Sequence, residues 1–138
     1  RFKFFFYYYI HMSNKIINQY KCIHSLEARI KQSASIMEKH YPKRVGIIIQ
    51  RHPNETNLAD FDKNKFLVPM DLDYNSLMFI IRKKVCSKIH PSTAMFLCTE
   101  NGTMLTSHNM ISEIYDVHKD REDHFLYLYY TGENTFGC

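Results

Sequence analysis

The sequence predicts one domain of the α+β class, in which a small sheet packs against separate helices. Its 138 residues suit a single core, since a chain of this length removes roughly two-thirds of its unfolded surface from water. Hydrophobic residues make up 45% and charged residues 23%, which argues against a wholly disordered chain and against a fibrous repeat. Segments of helical periodicity alternate with short β-branched runs, and this alternation predicts the class.

The first long helix is predicted to begin near Leu26 and to end before Pro42. Proline ends it because it disfavours helical angles at the preceding residue and has no N–H to donate. Four apolar residues recur at helical spacing and are expected to form its buried face, namely Leu26, Ile30, Ala34 and Met37.

Two strands are predicted next. The segment RVGIIIQR at residues 44–51 is β-branched and bounded by polar groups, which predicts a central strand, and residues 52–57 have loop composition. The segment KFLVPM at residues 65–70 predicts a second strand. Pro69 places this strand at an edge or terminus of the sheet, because proline cannot donate to a ladder.

A second helix is predicted after Asp73, whose carboxylate suits the N-cap position. Its expected apolar face consists of Tyr74, Leu77, Met78, Ile81 and Val85. Residues 94–98 and 103–105 then predict a hairpin around Asn101-Gly102, because this pair tolerates the positive φ angles of a tight primed turn.

The last two elements are a short helix and a strand. Met110, Ile111, Ile114 and Tyr115 give the helix, with Ser107 or Asn109 as its expected cap. The segment FLYLYY at residues 125–130 is apolar on both faces, which predicts a strand covered on both sides. From the second element onward, this order is the plan of a ubiquitin-like β-grasp with an additional N-terminal helix or helices.

Charge and cysteine usage narrow the function classes. A formal net charge of +4 is mild, and no interleaved basic and aromatic pattern appears, so no specific nucleic-acid partner is predicted. The four cysteines, Cys22, Cys86, Cys98 and Cys138, lack zinc-site spacing, so neither a metal site nor a cofactor is expected. They are interpreted as reduced cytosolic thiols, with Cys86 and Cys98 as core residues.

No catalytic residue is predicted. Cys138 ends the sequence and has no fixed neighbours to lower its pKa, so it is a poor candidate for a nucleophile. His118 and His124, near Asp120 and Asp123, are interpreted as part of a solvated turn. The chain is therefore not expected to be an enzyme.

Residues 1–10, RFKFFFYYYI, form an aromatic run that is too short to span a membrane and has no small-residue cleavage site. The run stops at His11, and a polar segment beginning with Met12 follows. Two interpretations of residues 1–11 stay open, upstream sequence translated in error or an aromatic arm that contacts a membrane.

Seven segments of the chain carry a resemblance to a known family. They are HSLEAR (24–29), YPKRV (41–45), DKNKFLVP (62–69), IIRKK (80–84), ISEIY (111–115), ED with FLY (122–127) and TFG (135–137). Through them, residues 20–137 resemble the autophagy-related ubiquitin-like modifiers, the group that includes the microtubule-associated light-chain proteins and the GABA-receptor-associated protein.

The resemblance implies a conjugated modifier rather than an enzyme. The processing site would consist of Phe136, Gly137 and Cys138, where an autophagic cysteine protease would cut after Gly137 and remove only Cys138. Activating and conjugating enzymes would then join Gly137 to phosphatidylethanolamine, moving the protein from the cytoplasm to the autophagosome membrane. Glycine is needed because a side chain would clash in the narrow clefts through which the tail is threaded.

The resemblance also implies that cargo receptors bind an open sheet edge at residues 65–69. A peptide of the form aromatic-x-x-aliphatic would add a strand there and fill two pockets. The aromatic pocket maps to Ile48, Lys65, Leu67 and Phe125, with Ile36 or Met37. The aliphatic pocket maps to Phe66, Val68, Pro69, Leu72, Leu77 and Ile80. Core packing explains each apolar member equally well by itself.

Basic residues would line the rim of this site. Arg44, Lys63 and Lys65 would face acidic residues that precede the peptide's aromatic side chain, contributing mostly association rate and register. A solvated basic face is the alternative explanation.

The chain departs from the family pattern at several positions. One extra residue before Tyr41 leaves open whether Ile36 or Met37 lines the aromatic pocket. Four residues earlier, where the family often has a carboxylate that accepts an indole N–H, either choice gives a neutral residue, Gln32 or Ser33. Ser25 and Gly46 replace prolines and are expected to loosen the N-terminal packing.

The resemblance divides the chain into three parts. Residues 1–19 are predicted to be an N-terminal extension that is disordered or non-native, and residues 20–131 the ubiquitin-like domain with its helical subdomain. Residues 132–138 would be the flexible conjugation tail. A ubiquitin-like peptide-binding module that is never conjugated is the alternative function.

Overall fold

The computed structural model describes residues 16–60, 63–85 and 94–132. Its elements, in chain order, are α1 (Gln19–Ile23), α2 (Leu26–His40), β1 (Arg44–Arg51), β2 (Lys65–Pro69), α3 (Tyr74–Val85), β3 (Met95–Thr99), α4 (Ile111–His118) and β4 (Leu126–Gly132). They confirm the predicted α+β class and the additional N-terminal helices. The predictions for residues 1–11, Cys86, Phe136, Gly137 and Cys138 lie outside the described residues, as does the side chain of Val85.

The strands form one mixed sheet with the order β2-β1-β4-β3. The two central strands, β1 and β4, run parallel, and each pairs antiparallel with an outer strand. Central position explains the apolar composition of β1 and β4, since both of their faces are covered. The edge position predicted for β2 from Pro69 is confirmed.

The sheet has a hydrophobic cluster on each face. On one face, α3 and α4 cover Val45, Ile47 and Ile49 of β1, and Leu77, Ile81 and Ile111 are among the buried helical residues. On the other face, α1 and α2 cover a smaller cluster of Tyr20, Ile48, Cys98, Phe125, Tyr127 and Tyr129, with Ile16 and Ile36 packed against it. These contacts begin before residue 20, at Ile16.

The face of α2 that meets the sheet differs from the predicted one. Leu26 and Ile30 are 36% and 44% exposed, whereas Arg29 and Ser33 are buried. The reason is Asp123, whose buried carboxylate accepts from Arg29 Nη1 at 2.5 Å and so draws the polar side of the helix inward. The prediction that Leu26, Ile30 and Ala34 form the buried face is therefore wrong.

The helix caps confirm one local prediction and correct another. Asp73 Oδ1 accepts from Ser76 N at 2.7 Å, so the predicted cap of α3 is confirmed. The α4 cap position is Met110, because the Asn109 side chain instead accepts from Thr106 N at 2.8 Å. Ser25 is the N-cap of α2, because its Oγ accepts from Ala28 N at 3.2 Å.

The hairpin after β3 forms, but its turn differs from the predicted one. Within this turn, Gly102 has a positive φ of 88° but Asn101 does not, and Gly102 N donates to Thr99 O at 3.0 Å. A primed turn would require a positive φ at Asn101 as well. The returning arm makes a single isolated bridge, Cys98 to Met104, instead of a full strand.

Candidate functional site

The exposed edge strand β2 presents its residues alternately to the two faces of the sheet. Lys65 and Leu67 pair with Ile48 and Gly46 of β1, on the face that α2 covers. Phe66 and Val68 pair with Ile47 and Val45, on the face that α3 and α4 cover. The β2 residues assigned to the two predicted pockets, Lys65 and Leu67 for one and Phe66 and Val68 for the other, therefore lie on opposite faces of the sheet.

The aromatic-pocket residues come together beside α2. Ile36 packs against the cluster that contains Ile48 and Phe125, and these last two are fully buried. Leu67 is 38% exposed and Lys65 is exposed, so they form the accessible side. Met37 is half-buried, and its carbonyl accepts from Tyr41 N at 3.1 Å.

Gly46 has a structural role in this cluster. A Cβ built on Gly46 would lie 2.8 Å from Phe125 Cε1 and 3.3 Å from Ile36 Cδ1. The Phe125 ring therefore fills the space above the β1 backbone. The expectation that Gly46 loosens the packing is wrong, because the missing side chain is what admits the ring.

Except for Pro69, which strand alternation places on the same face as Lys65 and Leu67, the residues assigned to the aliphatic pocket lie on the α3 side. They differ in accessibility. Val68 and Leu77 are buried in the larger cluster, whereas Phe66, Pro69 and Leu72 are half-buried and Ile80 is exposed. Lys84 Nζ lies 5.4 Å from the centre of the Phe66 ring, within the range of a cation–π contact. The accessible surface is thus apolar with one basic side chain at its rim.

The three basic residues do not form one patch. Arg44, Lys63 and Lys65 are all exposed. Arg44 pairs with Pro69 in the β1–β2 register, whereas Lys65 pairs with Ile48 at the other end of β2. Four residue steps of an extended strand span about 13 Å, so Lys63 and Lys65 mark one end of the edge and Arg44 the other.

Gln32 already has a hydrogen-bond partner. Its Oε1 accepts from Tyr20 Oη at 2.7 Å, and the Tyr20 backbone is held because its N–H donates to Gln50 Oε1 at 2.8 Å. Ser33, the other candidate at this level of α2, is buried. Sequence spacing could not reveal the Tyr20 contact, because it depends on how α1 packs over α2.

The turn before β4 is only partly the solvated turn that was expected. His124 is exposed and has a φ of 66°, but Asp123 is 1% exposed. Asp123 accepts from Arg29, from Tyr127 Oη at 2.5 Å and from Phe125 N at 2.8 Å. Burial and this carboxylate together raise the pKa of Tyr127, so the phenol stays protonated and donates.

A second ion pair joins α1 to the same turn. Lys21 Nζ donates to Asp120 Oδ2 and lies 3.6 Å from Glu100 Oε2. Burial opposes the charged form of Lys21, but the bond to Asp120 outweighs it and raises the pKa of Lys21. Burial likewise opposes the Asp120 carboxylate, and the bonds from Lys21 and from backbone N–H groups lower its pKa below the usual value.

The described residues contain no grouping suited to bind a metal. No three His, Cys, Asp or Glu side chains within these ranges lie close enough together to hold an ion. Cys98 is buried, which raises the pKa of its thiol to about 11. The burial of Cys98 confirms the prediction that it is a core residue. None of the helices in the same ranges has the length and apolarity of a membrane span.

Known proteins match most of this chain. The family described as "Autophagy protein Atg8 ubiquitin like" matches residues 28–137. Autophagy-related protein 8d of Arabidopsis thaliana is 41% identical over 121 residues, covering 88% of this chain and 96% of that protein. Autophagy-related protein 8A of Oryza sativa subsp. indica is 40% identical over 118 residues, covering 86% and 94%.

A solved structure agrees with both the fold and the sequence. The crystal structure of Trypanosoma brucei ATG8 superposes with a TM-score of 0.76 at 35% identity, covering 85% of this chain and 96% of that chain. Identity at this level over nearly the whole domain goes beyond a shared fold. The chain therefore belongs to the Atg8 family of autophagy ubiquitin-like proteins.

Proposed function

We propose that the protein is a ubiquitin-like modifier of autophagy whose C-terminus is processed and conjugated. An autophagic cysteine protease removes Cys138, and activating and conjugating enzymes then join the Gly137 carboxylate to phosphatidylethanolamine. The observation that carries this proposal is the family match, which extends through Gly137. The protein itself performs no catalysis, and it works in the cytoplasm and, once lipidated, on the autophagosome membrane.

The membrane-bound form acts as an adaptor for cargo receptors. The sheet geometry supports this role, because successive side chains of a strand point to opposite faces. Side chains three positions apart in an added peptide strand therefore point to opposite faces, as in the aromatic-x-x-aliphatic motif. On β2, Lys65 and Leu67 of the proposed aromatic pocket face the opposite side from Phe66 and Val68 of the proposed aliphatic pocket, which supports this role.

The basic residues give the peptide an expected direction. Lys63 and Lys65 lie at the Ile48 end of β2, next to the aromatic pocket. Acidic residues that precede the aromatic would meet these two lysines if the peptide runs parallel to β2. Arg44, at the Pro69 end, would contact the segment that follows the aliphatic residue.

Replacing Gly137 with alanine is expected to abolish trimming. We expect wild type to lose only Cys138 when incubated with an autophagic cysteine protease, and Gly137→Ala to be cut at least about a hundredfold more slowly, because a Cβ obstructs the narrow cleft. Intact mass over time measures this directly.

Thr135→Ala is the matched control, since it alters the tail and leaves the glycine, and it should be cut like wild type. A wild type that stays whole, while a known substrate of the protease is cut, would contradict processing. It would leave a non-conjugated peptide-binding module as the better account. If the mass change is seen, reconstitution with the conjugating enzymes on phosphatidylethanolamine vesicles tests lipidation.

The groove should bind Phe-headed and Trp-headed peptides with similar affinity. Gln32 Oε1 already accepts from Tyr20 Oη and carries no charge, so the indole N–H of a bound Trp finds no strong acceptor there. The hydrogen bond that the Trp-headed peptide forgoes is worth roughly 1 to 2 kcal/mol. The chain has no Trp, so the fluorescence of a Trp-headed peptide reports binding, and a Phe-headed peptide is measured by competition.

Tyr20→Phe is the matched variant for this titration. It releases Gln32 Oε1 and should improve binding of the Trp-headed peptide several-fold, while the Phe-headed peptide changes little. Wild type binding the Trp-headed peptide more than about tenfold tighter would contradict the expectation.

A further inference from the structure

A buried carboxylate holds the last described residue of the chain, where the C-terminal tail begins. Glu55 is 5% exposed, and its Oε1 accepts from Gly132 N at 2.5 Å and from Thr131 Oγ1 at 3.4 Å. Its Oε2 accepts from Asn57 N at 2.8 Å and from Leu58 N at 3.2 Å. One side chain therefore ties the end of β4 to the loop that follows β1.

The same loop contacts β4 at two further points. His52 N donates to Tyr130 O at 2.9 Å, and Tyr130 Oη donates to Ala59 O at 2.6 Å. Glu55 N donates back to His52 O at 2.9 Å, which closes the loop on itself. Residues 52–59 thus lie against the last three residues of β4.

The end of β4 at Gly132 has little space for a side chain. A Cβ built on Gly132 would lie 3.0 Å from Glu55 Oε1 and 3.9 Å from Ala94 O. Any larger residue would push against the carboxylate that holds the strand end. Glycine at 132 therefore allows the close approach on which the Glu55 contact depends.

We propose that Glu55 is a positioning residue for the C-terminal reactions, fixing the point and direction in which the tail leaves the domain. The inference rests on the proposed function, since it concerns how the protease engages the tail. A protease that binds both the domain and the tail requires one relative arrangement of the two. When the start of the tail is already fixed, less conformational entropy is lost on forming the complex. Glu55 is remote in sequence from Gly137 and does not touch the scissile bond.

Glu55→Ala is expected to raise the KM for removal of Cys138 about tenfold while kcat changes less than about twofold. KM rises because the tail loses its fixed starting point, whereas kcat is maintained because the chemistry at Gly137 is unchanged. Glu55→Gln should lie between wild type and alanine, because its amide oxygen can still accept from Gly132 N, whereas its NH₂ group cannot accept from Asn57 or Leu58.

Hydrogen exchange at the Gly132 amide gives a second readout that does not depend on the protease. We expect faster exchange in both Glu55 variants, with core amides of β1 unchanged. Asp73→Ala is the matched control, since it removes a helix-capping carboxylate far from the tail in sequence and should leave KM and Gly132 exchange at wild-type values.

The outcomes separate the two proposals. A wild type that is never cut contradicts the proposed function, and with it any role of Glu55 in processing. Cleavage of all variants with the wild-type KM contradicts the Glu55 inference alone. An equal rise in KM for Asp73→Ala also contradicts it, because general destabilisation would then explain the effect.

Discussion

Asp123→Ala is expected to lower the free energy of unfolding by about 3 to 5 kcal/mol, the usual cost of removing one partner of a buried ion pair. The Asp123 side chain is fully buried, and Arg29 is nearly so. Without the carboxylate, the guanidinium keeps its charge in a site with little water. Tyr127 Oη and Phe125 N lose their acceptor in the same change.

Chemical denaturation of Asp123→Ala and of the control Asp116→Ala measures this effect. Asp116 is exposed on α4 and its replacement removes the same charge, so we expect a loss within about 0.5 kcal/mol. The double variant Arg29→Met with Asp123→Ala should lose less than Asp123→Ala alone, because it also removes the uncompensated charge. Equal losses in the two aspartate variants would show that the buried pair is not a principal support of the fold.

Gly46→Ala is expected to destabilise the domain by about 1 to 3 kcal/mol, although alanine is ordinarily more favourable than glycine in a strand. The new Cβ would stand 2.8 Å from Phe125 Cε1, a distance that forces the buried ring to move. Because this ring also packs near Ile36, the change should weaken binding of the peptide's aromatic residue as well.

A double-mutant cycle with Phe125→Leu tests the cause. Leucine lacks the ring atoms that would collide with the new Cβ, so Gly46→Ala should cost markedly less in the Phe125→Leu background than in wild type. Additive losses in the unfolding free energy would mean that the ring does not occupy the space above Gly46 in solution.

Features set by neighbouring residues were predictable from the chain alone. Asp73 caps α3 because its side chain reaches a backbone N–H three residues on, and Pro69 marks an edge strand because it lacks a donor. The element order followed from periodicity in the same way. The family resemblance, carried by short segments, was confirmed by relatives that cover most of the chain.

Features set by distant contacts were not predictable. Periodicity assigned the apolar stripe of α2 to the core, but Arg29 and Asp123, 94 residues apart, pair in the interior and rotate that stripe outward. The predictions of the α4 cap and of the turn at Asn101 were wrong at shorter range, where the Asn109 side chain accepts from Thr106 N and the Asn101 side chain accepts from Thr99 Oγ1.

The candidate groove shows the same division. The chain by itself determined which strand lies at the edge and which residue types flank it, because alternation and proline act locally. Only the tertiary structure placed Ile36 beside Phe125. The hydrogen bonds from Tyr20 to Gln32 and from Gly132 to Glu55 likewise depend on it. Each of these contacts joins separate elements, and their partners are chosen by burial and hydrogen bonding once the elements pack together.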